Sequence, residues 1–450
     1  MSRASDHDTI TAAATPPGPA GVAIVRLSGP HALEIASAVA GKLPAPHEAR
    51  LRALRDGDGE ILDRALVLLF PAPRSFTGED TVEFQLHGSP VLTTLLLRRL
   101  TALGAREAGP GEFTRRAYIN GRIDLAQAEA VADLIASASV TAARAAMRSL
   151  DGEFSIRVAA LVEATTQIRI RLEAGLDFPE ESVDHFDERQ LAGRLEALQS
   201  EVEALQGAAQ QGRALRDGLS IVIAGAPNAG KSSLLNRLAG YEAAIVTEIP
   251  GTTRDLVRED ILIDGMPVKV ADTAGLRDGA DQVEAEGIRR ARAAMSRADL
   301  VLLVEDATTT GDDDPLPTLP EGTPILRVHN KIDLSGEDPG EDQDGAGGLR
   351  IRLSALTGAG IELLRARLKA AAGYAPDAGG SLAARRRHLD ALARAGDAIR
   401  AAAALLGAGH SAELAAEELR LAQHSLGEIT GEFATEDLLG RIFSEFCIGK

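Results

Sequence analysis

A glycine-rich loop at residues 225–233, with the sequence GAPNAGKSS, constrains the fold of this chain more than any other segment. An apolar run at 219–224 precedes it and a helix-favouring run at 234–238 follows it, which predicts strand, loop and helix in that order. The pattern G-x-x-x-x-G-K-[ST] is completed by Gly225, Gly230, Lys231 and Ser232. In such a loop backbone N–H groups face phosphate oxygens, the lysine reaches the β- and γ-phosphates, and the serine binds magnesium. The alternative is a chance glycine turn, which the flanking strand and helix disfavour.

Three further motifs follow in the order expected of a GTP-binding domain. D-x-x-G at 272–275 ends a predicted strand and would hold magnesium through water and bind the γ-phosphate. N-K-x-D at 330–333 selects guanine, because its carboxylate accepts two N–H bonds that adenine cannot supply. A loop at 354–356 fits the backbone contact to the guanine oxygen. The predicted GTP contacts are Asn228, Ala229, Gly230, Lys231, Ser232, Ser233, Thr247, Thr253, Asp272, Gly275, Asn330, Lys331, Asp333, Ser354 and Ala355.

The residues between these motifs bear on hydrolysis. The motif order resembles that of TRAFAC-class GTPases, in which G-T-T-R-D at 251–255 would be switch I and Thr253 a ligand of magnesium and the γ-phosphate, beside Ser232. Leu276 stands where Ras-like enzymes use a glutamine to orient water, so another group is needed. Glu284 is predicted to orient or activate that water, with Lys231 acting on the phosphates. The alternative for Glu284 is a solvated acid at a helix N-terminus.

Asn228 precedes the second loop glycine by two residues. In GTPases that combine this asparagine with a GTTR-type switch, the asparagine and the switch backbone resemble a potassium site. A cation there would stabilise the charge that develops between the β- and γ-phosphates. The positions that match the potassium site are Asn228, Thr247, Ile249 and Thr252. The alternative for Asn228 is an amide that caps the loop.

Composition limits the class of protein. The chain has 450 residues, enough for about three domains. Its single cysteine cannot form an intrachain disulfide, its N-terminus lacks the pattern of a signal peptide, and its apolar runs are too short to span a bilayer. The net charge of −18 argues against a surface that coats nucleic acid broadly, but not against a local basic patch. We expect a cytoplasmic protein without a membrane partner.

Secondary-structure patterns predict a multidomain protein that combines α/β and all-α parts. Strands at 20–27, 61–70 and 81–86 with a helix at 90–103 indicate an α+β segment, and helical periodicity begins at 125. Similar helices return after about residue 380, so we predict a discontinuous helical domain with the P-loop domain inserted; two independent bundles are the alternative. Residues 335–348 are predicted to be a loop. The predicted domains are 1–120 (α+β), 121–216 (first helical half), 217–375 (GTPase) and 376–450 (second helical half).

Motifs along the whole chain resemble the MnmE/TrmE family of tRNA-modification GTPases. Beside the GTP motifs, they are DTITA and ATPPG near the N-terminus, SFTGED at 75–80, QLHG at 85–88, GPGEFTRRAY at 109–118, DLAQAEA at 124–130 and FCIGK at 446–450. The resemblance implies a folate-binding N-terminal domain that also dimerises, and potassium-dependent hydrolysis coupled to pairing of the GTPase domains. It also implies a partner, the FAD-containing MnmG (GidA), in a heterotetramer that installs an aminomethyl-type group on the wobble uridine of tRNA. The one-carbon unit would come from a tetrahydrofolate derivative.

By position, the resemblance implies that the folate contacts are Arg26, Glu83, Arg122 and Lys450. The family often has lysine where Arg122 stands, which keeps the charge and changes the geometry. Cys447 lies in the FCIGK tail, where a role in the modification chemistry is one reading and a small buried apolar side chain is the other. Two other functions compete: an Era- or Der-like ribosome-assembly switch, which would need a basic RNA-binding module, and a scaffold that cycles with GTP.

Overall fold

A computed structural model describes residues 8–177, 188–240, 258–272, 295, 298–309, 324–343, 348–375, 380–407, 412–433 and 435–449. The chain divides into two compact units. The first unit combines Met1–Ala132 with Gly427–Lys450, and the second is Asp133–Leu426.

The elements follow the chain in this order. The first part contains β1 (Ile10–Ala13), β2 (Ala20–Ser28), α1 (Ala32–Ala40), β3 (Ala49–Arg55), β4 (Ile61–Phe70), β5 (Thr81–Gly88), α2 (Pro90–Ala102), β6 (Arg106–Glu107), α3 (Glu112–Ile119) and α4 (Leu125–Ile135). Helices α5 (Val140–Leu150), α6 (Glu153–Asp177) and α7 (Glu188–Asp217) follow. Next come β7 (Leu219–Gly225), α8 (Lys231–Ala239), β8 (Arg258–Ile263), β9 (Met266–Asp272), β10 (Leu300–Asp306), β11 (Ile325–Asn330), α9 (Ile332–Ser335), β12 (Gly340–Gln343), β13 (Leu349–Arg352) and α10 (Ile361–Ala371). The last helices are α11 (Arg386–Gly407), α12 (Ala412–Thr430) and α13 (Glu436–Ser444).

The first unit is built on a six-stranded sheet in the order β3-β4-β5-β2-β1-β6. All neighbours are antiparallel except β1 and β6, which run parallel. Helices α1 and α2 bury Ile35, Leu96 and Leu100 in the same core as Val25 and Phe84 of the sheet. The predicted strands β2, β4 and β5 and the predicted helix α2 are confirmed.

The end of the chain returns to this sheet. After α13, the Gly111 N–H donates a hydrogen bond of 3.3 Å to the Cys447 carbonyl oxygen. Pro110 and Ile448 then form an isolated antiparallel bridge. Residues 427–450 therefore belong to the same compact unit as residues 1–132, whereas the predicted domains group them with the second helical half.

The second unit contains a seven-stranded sheet in the order β12-β13-β11-β10-β7-β9-β8. Its five inner strands are parallel, and β8 and β12 pair antiparallel at the edges. The prediction of a loop over 335–348 is wrong at β12, because this short polar strand is held by pairing with β13, which its own sequence does not signal.

Helices share a core with this sheet. Helix α7 packs against α6 and α11. Ala142 and Ala145 of α5 and Leu215 of α7 lie in the same apolar cluster as Ile221 and Met266 of the sheet. This shared core explains why the P-loop segment and the helices before it form one compact unit. The parallel strands end at one edge of the sheet, and the loop after β7 lies at that edge.

Candidate functional site

The P-loop backbone requires its two motif glycines. Gly225 has φ +143° and Gly230 has φ +93°, both in the range that side chains disfavour. A Cβ atom on Gly225 would lie 2.1 Å from the Val304 carbonyl oxygen, and one on Gly230 would lie 2.2 Å from Asn330 Nδ2. The loop is therefore packed directly against the ends of β10 and β11, and no larger residue fits at either position.

The cationic and hydroxyl groups of the loop follow at the start of α8. Lys231 Nζ donates hydrogen bonds to the carbonyl oxygens of Gly225 (3.0 Å) and Ala226 (2.7 Å), so its ammonium group lies over the loop. Ser232 and Ser233 are exposed in the first turn of the helix. A glycine loop, an ammonium group and a helix N-terminus together fit phosphate oxygens, and the exposed Ser232 hydroxyl fits a hard cation such as magnesium.

Asn330 connects the loop with the segment that follows β13. Its Nδ2 donates to the Ala229 carbonyl oxygen at 2.9 Å, and its Oδ1 accepts from the Ala355 N–H at 2.9 Å. Asn330 is 2% exposed and Ser354 is fully buried. Ser354 Oγ in turn accepts a hydrogen bond from the Thr357 N–H. Three of the four predicted motifs that form a GTP site are therefore brought together by the side chain of Asn330.

Lys331 is fixed beside this junction. It has φ +72°, and its Nζ forms an ion pair of 2.6 Å with Asp306 Oδ2 at the end of β10. Burial raises the pKa of Asp306, but hydrogen bonds from Lys331 and from the N–H and hydroxyl of Thr308 outweigh it and lower the pKa to about 2. Asp333 is exposed in the short helix α9, where its carboxylate is accessible to a ligand.

Two residues of this site, Arg237 and Asp306, were not predicted from the sequence. Arg237 Nε donates a hydrogen bond of 3.0 Å to the Ala355 carbonyl oxygen, and its guanidinium also contacts the Leu356 carbonyl oxygen. Asp306 holds Lys331 as described above. Both partners are distant in sequence, by 118 residues for Arg237 and 25 for Asp306, so no local spacing marks either contact.

Several predicted residues lie outside the described part of the chain. They are Thr247, Ile249, Thr252, Thr253, Gly275, Leu276, Glu284 and Lys450. The backbone of Asp272 ends β9 and is in register with Ile223 of β7, but its side chain is also outside the description. Asn228 is exposed in the loop with φ +63°.

The first unit brings Arg26 and Glu83 together. They are register partners on β2 and β5, and the Arg26 guanidinium contacts Glu83 Oε1 at 2.8 Å. The Arg26 guanidinium carbon also lies 5.8 Å from the ring centre of Phe76 and 5.6 Å from that of Phe113. The two side chains are 21% and 15% exposed, so the pair is largely shielded from solvent. A partly exposed charged pair beside the exposed Phe76 ring fits a flat, polar heterocycle.

Arg122 and Cys447 occupy other positions in the same unit. Arg122 is exposed, and a Cβ on Gly78 would lie 3.1 Å from its Cγ, so it contacts the loop at 75–80. It also lines a cavity of about 690 Å³ with Tyr118, Asp124 and Glu432.

The side chain of Cys447 is exposed, so the alternative of a buried apolar cysteine is wrong.

Comparison with known proteins decides the family. The family model described as "MnmE helical domain" matches residues 125–447, and that of "GTP-binding protein TrmE N-terminus" matches 9–122. The chain belongs to the MnmE family of tRNA modification GTPases. A relative from Alkalilimnicola ehrlichii, named "tRNA modification GTPase MnmE", is 56% identical over 98% of this chain and 99% of its own length. A relative of the same name from Nitrosococcus oceani is 52% identical over 98% of this chain and 97% of its own length.

Family membership confirms several predictions. The chain is a GTPase of tRNA modification, and its nucleotide is GTP. The fold class is confirmed too, with the TrmE N-terminal region, the helical region and the P-loop sheet in one chain. The G domain of FeoB from Methanococcus jannaschii matches 34% of this chain and 97% of that chain at 28% identity with a TM-score of 0.26, so the assignment rests on the sequence relatives. No helix in the part of the chain that the structure describes is long and apolar enough to cross a bilayer.

Proposed function

We propose that this GTPase acts with an FAD-containing partner, MnmG (GidA), to install an aminomethyl-type group on the wobble uridine of tRNA. The carbon would come from a tetrahydrofolate derivative bound by the first unit. The observation that carries the folate assignment is the Arg26–Glu83 pair, joined at 2.8 Å, whose arginine also contacts the Phe76 and Phe113 rings. Glu83 can accept hydrogen bonds from the N–H edge of a pterin, while Arg26 and Arg122, which both approach the loop at 75–80, can bind carboxylates of the glutamyl part.

We propose a role in GTP binding or hydrolysis for each predicted residue of the nucleotide site. Lys231 exchanges the loop carbonyls for phosphate oxygens when GTP binds, and Ser232 with Thr253 ligates magnesium. Asp333 accepts the N–H bonds of guanine beside the junction formed by Asn330. Glu284 orients the attacking water, a role that Leu276 cannot fill.

A monovalent cation completes the proposed hydrolytic site. The proposed potassium ligands are Asn228, Thr247, Ile249 and Thr252. Of these four residues, Asn228 lies in the described P-loop, where it is exposed and its φ of +63° is not helical. The ion supplies positive charge beside the phosphates, as an arginine does in other GTPases. We place the paired GTPase domains in a homodimer formed through the folate-binding region, which assembles with MnmG into a heterotetramer in the cytoplasm.

We propose domain boundaries at 1–120, 121–216, 217–375 and 376–450, with residues 427–450 of the last domain grouped in the first compact unit. Cys447 would take part in the modification chemistry, since its thiol is exposed and its own carbonyl oxygen accepts a hydrogen bond from the Gly111 N–H, in the same unit as Arg26. Lys450, three residues later, would contact the folate.

Calorimetric titration of the full-length protein with tetrahydrofolate tests this function. We expect saturable binding that is weakened at least about tenfold by Arg26→Ala, because one charge-assisted contact is lost. Arg50→Ala is the matched control, since Arg50 pairs with exposed Glu48 on β3 and should leave binding unchanged. If the wild-type protein showed no binding of tetrahydrofolate, the folate assignment would have to be abandoned. A GTPase switch without group transfer would then be the better description.

A further inference from the structure

A buried arginine lies at the centre of a charged cluster in the first unit. Arg116 of α3 is only 2% exposed. Its guanidinium donates hydrogen bonds to the carboxylate and the carbonyl oxygen of Asp8, both at 2.6 Å, to Glu79 at 3.1 Å and to Glu112 at 3.1 Å. A buried guanidinium without such partners would be strongly destabilising, so these contacts determine where each partner lies.

Arg106 completes the cluster. It contacts Asp8 at 2.7 Å and Glu112 at 2.6 Å, so two arginines face three carboxylates. Burial raises the pKa of Glu112, but hydrogen bonds from Arg106 and the Gly109 N–H lower it overall. Burial also raises the pKa of Asp8, but the two arginines lower it by more, so that the pKa lies below its ordinary value. Both carboxylates are therefore ionised at neutral pH, and the cluster is a rigid set of charge-assisted hydrogen bonds.

Glu79 is the member of this cluster that belongs to the loop at 75–80. Its second carboxylate oxygen accepts a hydrogen bond of 2.8 Å from the Ser28 hydroxyl. Ser28 also bonds the Thr77 hydroxyl at 2.7 Å, and it lies two residues after Arg26 on β2. Glu79 thus connects the loop with both α3 and the strand that carries Arg26.

The loop at 75–80 contacts both of the arginines proposed to bind folate, Arg26 and Arg122. Phe76 lies over the Arg26 guanidinium, and Gly78 allows Arg122 to approach. Asn120 supports the middle of the loop, because its Nδ2 donates a hydrogen bond of 2.7 Å to the Thr77 carbonyl oxygen. A Cβ on Gly78 would meet Asn120 Cβ at 3.2 Å, so the loop and the segment after α3 are closely packed.

We propose that Glu79, held by Arg116, positions the loop at 75–80 so that Phe76 covers Arg26. Glu79 is a positioning residue for folate binding that acts through Phe76 and makes no contact with the ligand itself. This inference rests on the proposed function. It explains why a buried charge cluster lies beside the Arg26–Glu83 pair. Stability alone would not require this cluster, because apolar residues of similar volume often stabilise a protein equally well.

Tetrahydrofolate titration of full-length variants tests the proposal. Glu79→Gln keeps the shape and removes the charge, and we expect at least about tenfold weaker binding. Phe76→Leu should weaken binding to a similar degree. The double variant should bind no more weakly than Phe76→Leu alone, since Glu79 acts through Phe76; a purely structural role for Glu79 would give additive losses. Additive losses, or unchanged binding in Glu79→Gln, would overturn the proposal.

Two further variants separate the causes. Asn120→Ala removes the hydrogen bond to the Thr77 carbonyl oxygen without disturbing a buried charge, and it should also weaken binding. This variant therefore tests the proposal if Glu79→Gln fails to fold. Glu48→Gln is the matched control, because it breaks an exposed ion pair with Arg50 and should have no effect. Absence of binding to the wild-type protein would remove the proposed folate function itself. Normal binding to the wild-type protein and to Glu79→Gln, or to Asn120→Ala if Glu79→Gln does not fold, would overturn only the positioning role.

Discussion

The side-chain amide nitrogen of Asn330 donates a hydrogen bond of 2.9 Å to the carbonyl oxygen of Ala229 in the P-loop. Its amide oxygen accepts from the Ala355 N–H on the other side. Asn330 is therefore a structural junction between the phosphate-binding and base-binding loops, and this role is independent of any direct contact with the base.

Replacement of Asn330 should damage both loops. Asn330→Ala removes two hydrogen bonds at a site that is 2% exposed, and we expect a loss of about 1–3 kcal/mol of unfolding free energy in this domain. GTP affinity should fall at least about tenfold, because the loops lose their common support. Denaturant unfolding and calorimetry with GTP would measure the two effects. Asn236→Ala, at an exposed position of α8, is the control and should be close to wild type.

Asp306→Asn should show a defined dependence on pH. The folded-state pKa of Asp306 is about 2, below its ordinary value of 3.8, so the ionised form stabilises the folded state at all pH values above the unfolded pKa. That contribution is lost as the pH falls from about 4 towards 2. We expect the difference in unfolding midpoint between wild type and the variant to be constant from about pH 7 to 5 and to narrow below about pH 4. Narrowing that began already above pH 5 would show that another group is responsible.

The central strands and their loops could be predicted from the sequence because each carries a local signal. The apolar run of β7 and the two glycines after it specify strand and loop by themselves, and Pro90 marks the start of α2. In contrast, β3 carries three arginines among helix-favouring residues and exists as a strand because it pairs with β4. Pairing across the sheet, which the local sequence does not encode, decides such edge strands.

The candidate site divides in the same way. Motif spacing predicts the roles of Lys231 and Asp333, since the chemistry of phosphate and guanine requires those residue types. Arg116 could not be assigned a role, because its partner Asp8 lies 108 residues away and the contact depends on tertiary packing. Residues that bind a ligand are thus easier to predict than the residues that hold them in place.

Asn228→Gly should separate the backbone of the loop from the amide proposed to bind potassium. Asn228 has φ +63°, a conformation that glycine adopts without strain, so the variant should keep the fold and GTP binding. In wild-type protein we expect hydrolysis to be at least about tenfold faster in potassium than in sodium at equal ionic strength, because the ion stabilises charge in the transition state. In the variant, the ratio of the two rates should approach one. A ratio that stayed at the wild-type value would mean that the amide does not bind the ion.

Asp333→Asn should change the preferred base from guanine to xanthine. Guanine offers two N–H donors to a carboxylate, whereas xanthine presents a carbonyl oxygen at one of these positions and therefore suits an amide that can donate. GTP affinity should fall at least about 100-fold, and affinity for xanthosine triphosphate should rise, because polar groups left mismatched between base and side chain are costly. Competition binding with both nucleotides gives the ratio directly. Asp338→Asn, an exposed neighbour a few residues later in the chain, should leave the preference for GTP intact. Retention of the GTP preference by Asp333→Asn would remove Asp333 from the base-binding site.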